Sequence, residues 1–294
     1  MAIVKNWLTS LRVLKERDWF VKRNRNLSTI CSISRKQSQA RLIVRKEETR
    51  GVPYPKRFAS EMYYDGEFAK GLMHGKGQLV WPDGRVCSGT WLNGERSTKE
   101  TATITWTNGD VYIGSLDSHY RPSGVGTKTY SDGDKYEGQW DEGLAHGEGV
   151  LHQNGVYTGT FSGGQKNGEG EQRYDDGAVF VGSWKENQPS GAGVLTYANK
   201  DVYSGYWLKG KQNGVGELKF SNGDVSQGTF ESDELHGPQC TKSWKETGDK
   251  FTGEYSHGKR VVGRMEYGDK RVYEGAFKDS KAHGKGRLYF PEPF

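Results

Sequence analysis

The chain is poor in the residues that build an ordinary compact domain. Only 33% of its 294 residues are apolar, so a thick core is not expected; thin burial spread along the chain fits better. There are three cysteines, Cys31, Cys87 and Cys240. Their scattered spacing gives no disulfide framework or zinc pattern and points to a reducing compartment. No stretch reaches 18 apolar residues, which excludes a membrane-spanning helix. Acidic residues are missing from Trp19 to Lys46.

Glycine is abundant instead, with 42 residues, and its placement is periodic. Ten glycines recur at intervals of 21 to 25 residues: Gly66, Gly89, Gly114, Gly138, Gly159, Gly182, Gly205, Gly228, Gly253 and Gly275. Each is flanked two positions before and after by an aromatic or its substitute, most clearly in Tyr136-Glu137-Gly138-Gln139-Trp140. A fixed period of this size marks a repeat array, which builds a surface and not a single cleft.

The repeat reads as two short strands. Alternation puts Tyr136, Gly138 and Trp140 on one face and Glu137 and Gln139 on the other. The glycine leaves room for neighbouring rings to lean over it. In the second run Gly77, Leu79 and Trp81 share a face. Asp/Asn-Gly pairs such as Asp83-Gly84, Asn108-Gly109 and Asp132-Gly133 predict two-residue type I′ turns between the runs. The other connection, as in Asp141-Glu142-Gly143-Leu144-Ala145, is expected to be longer. Two strands per repeat, about 4.8 Å apart, give a ribbon of roughly 90–100 Å for ten repeats.

The pattern resembles MORN (membrane occupation and recognition nexus) repeats: Tyr-x-Gly-x-Trp/Phe, a gap, His/Asn-Gly-x-Gly, an aromatic and Asp/Asn-Gly. Tyr136 to Gly149, Tyr203 to Gly216 and Tyr273 to Gly286 carry it well. The resemblance implies an all-β fold, an elongated single-layer antiparallel β-ribbon of about ten hairpin units over residues 59–294. It also implies use in assembly, often through peptides docked along an aromatic groove, as in radial spoke heads, cytoskeletal rings and membrane tethers. The second repeat departs from the pattern, with Cys87 in place of tyrosine and no Gly-x-Gly. So does the eighth, with Ser226 and Gly237-Pro238-Gln239-Cys240. The ninth keeps only Gly263. Either these are tolerated drift in loops or they bend the ribbon or carry partner contacts.

Catalytic and metal chemistry finds little support. His74, His146, His236 and His283 occupy one slot of the repeat. The closest two in register, His236 and His283, fall roughly 20 Å apart by strand spacing, so no metal is expected there. Gly163-Gly164-Gln165-Lys166-Asn167-Gly168 has the span of a phosphate loop, but Glu169 stands where lysine must be. No cofactor and no enzymatic activity are expected, and nucleic acid is not an expected partner. The expected groove or stacking residues are Tyr136, Trp140, Tyr157, Phe161, Tyr203 and Trp207. The reading is of a structural subunit of a cytoskeletal or ciliary axonemal complex in the cytoplasm.

Residues 1–58 are a separate basic arm. They hold 15 Lys/Arg and 4 Asp/Glu, a net of +11, whereas residues 59–294 hold 27 and 33, a net of −6. Ile3, Val4, Trp7, Leu8, Leu11 and Leu14 form an apolar stripe that predicts a helix over 3–21, followed by an extended basic stretch. Three roles fit: docking on an acidic protein surface such as tubulin through Lys22, Arg23 and Arg25; a mitochondrial targeting leader of an accessory subunit; or an interfacial helix on anionic lipid in a phosphoinositide-linked tether.

Overall fold

The computed structural model describes residues 62–291, together with two short strands at Cys31–Ile33 and Ala40–Val44. The expected helix over 3–21, Lys22, Arg23, Arg25 and the 58/59 boundary lie outside the described residues. The chain divides into two compact halves, Met1–Leu144 and Ala145–Phe294. Both are built from antiparallel strands, and no helix occurs among the described residues.

In the first half, Tyr63–Ala69, Leu72–Val80, Val86–Leu92, Ala102–Thr105, Val111–Leu116, Pro122–Thr129 and Lys135–Asp141 form a meander, each strand bonded to the next. Ala40–Val44 pairs with the outer side of Tyr63–Ala69 and with Cys31–Ile33. The second half continues the same alternation from Val156–Ser162 and Gln165–Arg173 to Val272–Lys278 and Lys281–Tyr289. Nine of the expected hairpins lie within the two halves, including those of the irregular repeats.

The turn chemistry is the reverse of the sequence expectation. The two-residue type I′ turn lies at the connection expected to be long. Lys70-Gly71, Glu142-Gly143, Lys209-Gly210 and Asp279-Ser280 all have positive φ at both central positions, which this turn requires. The Asp/Asn-Gly pairs sit instead in wider loops, where only the glycine has positive φ at Gly84, Gly109, Gly133, Gly177 and Gly223. There the Asp or Asn is selected for its side chain. Asp83 Oδ1 accepts from Arg85 N at 2.9 Å, and Asp176 Oδ1 from Ala178 N at 2.8 Å. These are Asx turns, in which the carboxylate stands in for a backbone acceptor. Asn154-Gly155, with both φ positive, is the pair that matches the expected φ pattern.

Successive repeats are also tied at both edges. Among the wide loops, Asp201 Oδ1 accepts from Ser221 N at 2.7 Å, Asp224 Oδ1 from Lys245 N at 2.9 Å, and Asp249 Oδ1 from Gly268 N at 2.9 Å. Among the tight turns, Gly210 N donates to Pro189 O and Gly258 N to Leu235 O, both at 2.9 Å.

The core is a ladder of edge-to-face rings on one side of the strands in each half. In the second half it runs Phe161–Tyr157–Trp184–Phe180–Trp207–Tyr203–Phe230, with centroids 5.1–5.2 Å apart. Each ring of the first slot leans over a glycine pair. A Cβ on Gly170 would lie 2.3 Å from Tyr157 Oη, closer than any side chain tolerates. The polar atoms of the rings are satisfied locally. Tyr203 Oη donates to Tyr206 O at 3.1 Å, and Trp207 Nε1 to Gly193 O at 3.2 Å. Tyrosine and tryptophan thus suit slots that need a large apolar body with one donor. In most hairpins the register shifts just after the central glycine, as between Gly205 and Trp207. Such a bulge increases local twist.

Candidate partner-binding face

The six residues expected as groove or stacking positions all belong to the ladder. Tyr136, Trp140, Tyr157, Phe161, Tyr203 and Trp207 are 0–6% exposed, so each is a stacked core ring with almost no surface to offer. Tyr136 meets Trp140 at 5.0 Å, and Trp140 also meets Tyr112. Burial pushes the Tyr203 hydroxyl up to about 12 and raises that of Tyr157 further.

The rings that remain partly open form a second row, which the sequence reading placed on one face of the second strand, as at Trp81, but did not name as groove positions. They are the aromatics that open each wide loop: Trp81, Trp106 and Tyr130 in the first half, and Tyr174, Tyr197, Phe220, Trp244 and Tyr267 in the second. Tyr174 is 36% exposed and the others are half-buried. They stand two positions beyond the Leu slot of the second strand, so they share the face of the ladder. Their spacing is as regular as that of the ladder.

Cations lie over this face. Lys128 Nζ sits 4.9 Å from the Trp106 ring centroid and 4.3 Å from that of Tyr130, while pairing with Asp110 at 2.9 Å. That contact holds the Asp110 carboxyl below its usual range. Lys242 Nζ lies over Phe220 and Trp244 at 5.2 and 5.4 Å. Arg260 spans Trp244, Phe251 and Phe277. Lys166 covers Tyr157 and Trp184 and donates to Gln172 Oε1 at 2.5 Å. Cation–π contacts of this kind are worth about 0.5–2 kcal/mol each.

The opposite face carries the polar complement. Glu171–Arg173, Glu217–Lys219 and Glu266–Arg264–Glu274 form ion pairs there. Exposed Val181 and Val194 face each other across one strand pair.

The irregular repeats keep the register through paired substitutions. In the second, Cys87 occupies the tyrosine slot and Ala102 the place of the second-strand glycine, opposite Gly114. In the eighth, Ser226 and Cys240 make the same exchange, with Cys240 opposite Gly253. The volume lost from the ring is partly returned by the residue beneath it. Both cysteines are fully buried, and burial raises both thiols.

One histidine contact lies outside the repeat slot considered in the sequence. The His236 ring lies 5.0 Å from His257, which sits in the next tight turn and outside the repeat slot. His236 therefore has a histidine neighbour much nearer than His283. No group of three or more metal-ligating side chains converges among the described residues.

A row of hairpins with a ringed face, and an equivalent strand pair in every repeat, defines a repeat scaffold. Its residues 64–84, 118–135, 136–155, 157–179, 180–202, 203–225 and 273–292, just over half of the chain, match the MORN repeat family. The chain belongs to that family and is a structural or interaction scaffold, of a kind whose repeats mediate protein or membrane interactions. Alsin of Rattus norvegicus is 35% identical over 94 residues, covering 30% of this chain and 6% of alsin. The human ALS2 C-terminal-like protein is 36% identical over 91 residues, covering 30% and 9%. The chain thus spans a small fraction of these relatives. The SAS-4 TCP domain of Drosophila melanogaster, solved in complex with a proline-rich motif of Ana2, is 9% identical. That match covers 71% of this chain and 99% of that domain, with a TM-score of 0.27, and carries no argument.

Proposed function

We propose that the protein is a non-catalytic assembly subunit of a cytoskeletal or ciliary axonemal complex, with radial spokes the first place to look. Its ring face holds a segment of a protein partner, and residues 1–58 fix its location. The observation that carries the groove reading is the row of half-buried loop aromatics beside the buried ladder. A ladder alone would leave an inert face, whereas periodic, partly open rings under cations offer docking positions along its length. The strongly basic composition of residues 1–58, against an acidic remainder, supports a separate role for the arm.

Photo-crosslinking tests this directly. A crosslinking amino acid at Tyr197 or Phe220 of the full chain, expressed in ciliated cells, is expected to capture axonemal or other cytoskeletal proteins. The same residue at Thr158 on the opposite face is not. Phe220→Ala and Trp244→Ala are expected to weaken capture by roughly 1–3 kcal/mol each with little change in melting. Equal capture from both faces would remove the groove reading, and capture of mitochondrial or membrane proteins alone would remove the axonemal one.

A further inference from the structure

We infer that the ring face of the second half recognises an acidic, extended polypeptide segment; this rests on the groove reading above and gives its partner a chemistry. The argument is one of charge placement. Arg173, Lys219, Lys259, Arg264 and Arg271 each have a carboxylate within 2.5–3.2 Å. Of the four cations that lie over ladder or loop rings in this half, Arg271 over Tyr267 is the paired one, whereas Lys166, Lys242 and Arg260 pair with no carboxylate among the described residues. Lys166 has the Gln172 amide oxygen, and Arg260 has the Ser280 carbonyl and Met265 Sδ. The strand positions that share the rings' face in this half hold no Asp or Glu. A chain segment whose net charge is negative over 59–294 thus keeps the strand positions of this face free of acids and confines its nearby carboxylates, Asp176, Asp201 and Asp233, to the turns beside Tyr174 and Tyr197.

The arrangement favours a carboxylate ligand for two reasons. Lys166 is half-buried and its pKa is lowered by that burial, so an arriving carboxylate meets a cation already stripped of part of its water. Rings beneath the cations exclude solvent and strengthen the pairing. The spacing favours an extended ligand. Lys242 and Arg260 share Trp244, which makes one positive cluster. Lys166 lies six strands earlier in the meander, about 29 Å at ordinary strand spacing. An extended segment of about nine residues bridges that distance. Acidic residues near both ends, with apolar ones between to meet Tyr197 and Phe220, complete the match.

The test uses the full chain and three fluorescein-labelled peptides of about twelve residues. They share Pro and Phe positions and carry Glu, Gln or Lys at the rest. Fluorescence anisotropy is expected to show the Glu peptide binding at least about tenfold tighter than the Gln peptide, with an affinity that falls as salt rises. The Lys peptide is expected not to bind. Lys166→Met with Lys242→Met keeps an unbranched stem over the rings, and a melting curve checks the fold. In that variant the preference for Glu over Gln should collapse to within about twofold. Equal binding of Glu and Gln peptides by the unaltered chain would overturn the acidic preference and leave the groove reading standing. Co-sedimentation with phosphatidylinositol bisphosphate vesicles, lost in the Met variant, while the Glu peptide is ignored, would assign the cations to lipid phosphate and overturn the inference. If no peptide and no vesicle binds, the groove reading falls with it.

Discussion

Residues 157–225 and the two stretches 85–117 and 226–272 fold into the same hairpins, yet only the first matches the family pattern. In 157–225 a tyrosine or phenylalanine covers two glycines, and each ring passes its contact to the next repeat. At Cys87 and Ser226 the ring is gone, and Ala102 or Cys240 occupies the space beneath. What is kept between the two regions is strand register and filled volume, not the identity of the ring. Sequence similarity follows identity, so it stops at these two repeats; the ninth, which keeps Phe251 over Gly253 and Gly263, also falls outside the matched residues.

The largest expected contrast comes from removing rings. Trp207 stacks on both Phe180 and Tyr203. Tyr255 stacks on Phe251, and Ser226 occupies the slot of the preceding repeat where a further ring would stand, with Cys240 beneath it. Trp207→Ala is expected to cost about 3–5 kcal/mol, and Tyr255→Ala less by roughly one edge-to-face pair, about 0.5–1.5 kcal/mol. Urea unfolding of both variants measures the difference. Equal costs would mean that ring-to-ring continuity adds nothing beyond burial.

A smaller contrast is expected at high pH. The Tyr203 hydroxyl is pushed up to about 12 because burial disfavours the phenolate. Its folded pKa lies above the unfolded value of about 10. The stability it contributes is therefore complete below about pH 10 and is lost as pH rises toward 12. Cys87 and Ser226 put no phenol in that slot, and Phe180 shows that phenylalanine is accommodated. Tyr203→Phe is expected to give up about 1 kcal/mol at neutral pH through the lost bond to Tyr206 O and to flatten the alkaline decline, followed by circular dichroism. An unchanged alkaline profile would contradict the burial argument.

Much of this fold was legible in the sequence because glycine and aromatic spacing reports strand alternation directly. The hairpin order, the shared face of Tyr136, Gly138 and Trp140, and the ring over glycine all follow from it. The turns were not legible. Asp-Gly serves both a type I′ hairpin and an Asx loop, and the true tight turns use pairs as unlike as Glu186-Asn187 and Lys209-Gly210. Nor could spacing tell the buried ring row from the open one, since both are aromatic with the same period. Trp207 and Phe220 differ in exposure because one sits mid-strand over the core and the other at a loop. His257 carries no periodic signal because it occupies a turn position where other repeats carry Lys, Asn, Glu, Gly, Ser or Asp.

The central claim is that ring and glycine are exchangeable as a pair, and a double-mutant cycle in the second repeat tests it. Cys87→Tyr alone drives a ring against the Ala102 methyl and is expected to destabilise by about 1–3 kcal/mol. Ala102→Gly alone is expected to cost about 1–2 kcal/mol through lost packing and added chain entropy. Together they rebuild the arrangement of Tyr157 over Gly159 and Gly170. The account predicts a favourable coupling of about 2 kcal/mol or more between the two sites, read from chemical unfolding. Additive losses, with the double variant the least stable of the four proteins, would contradict it.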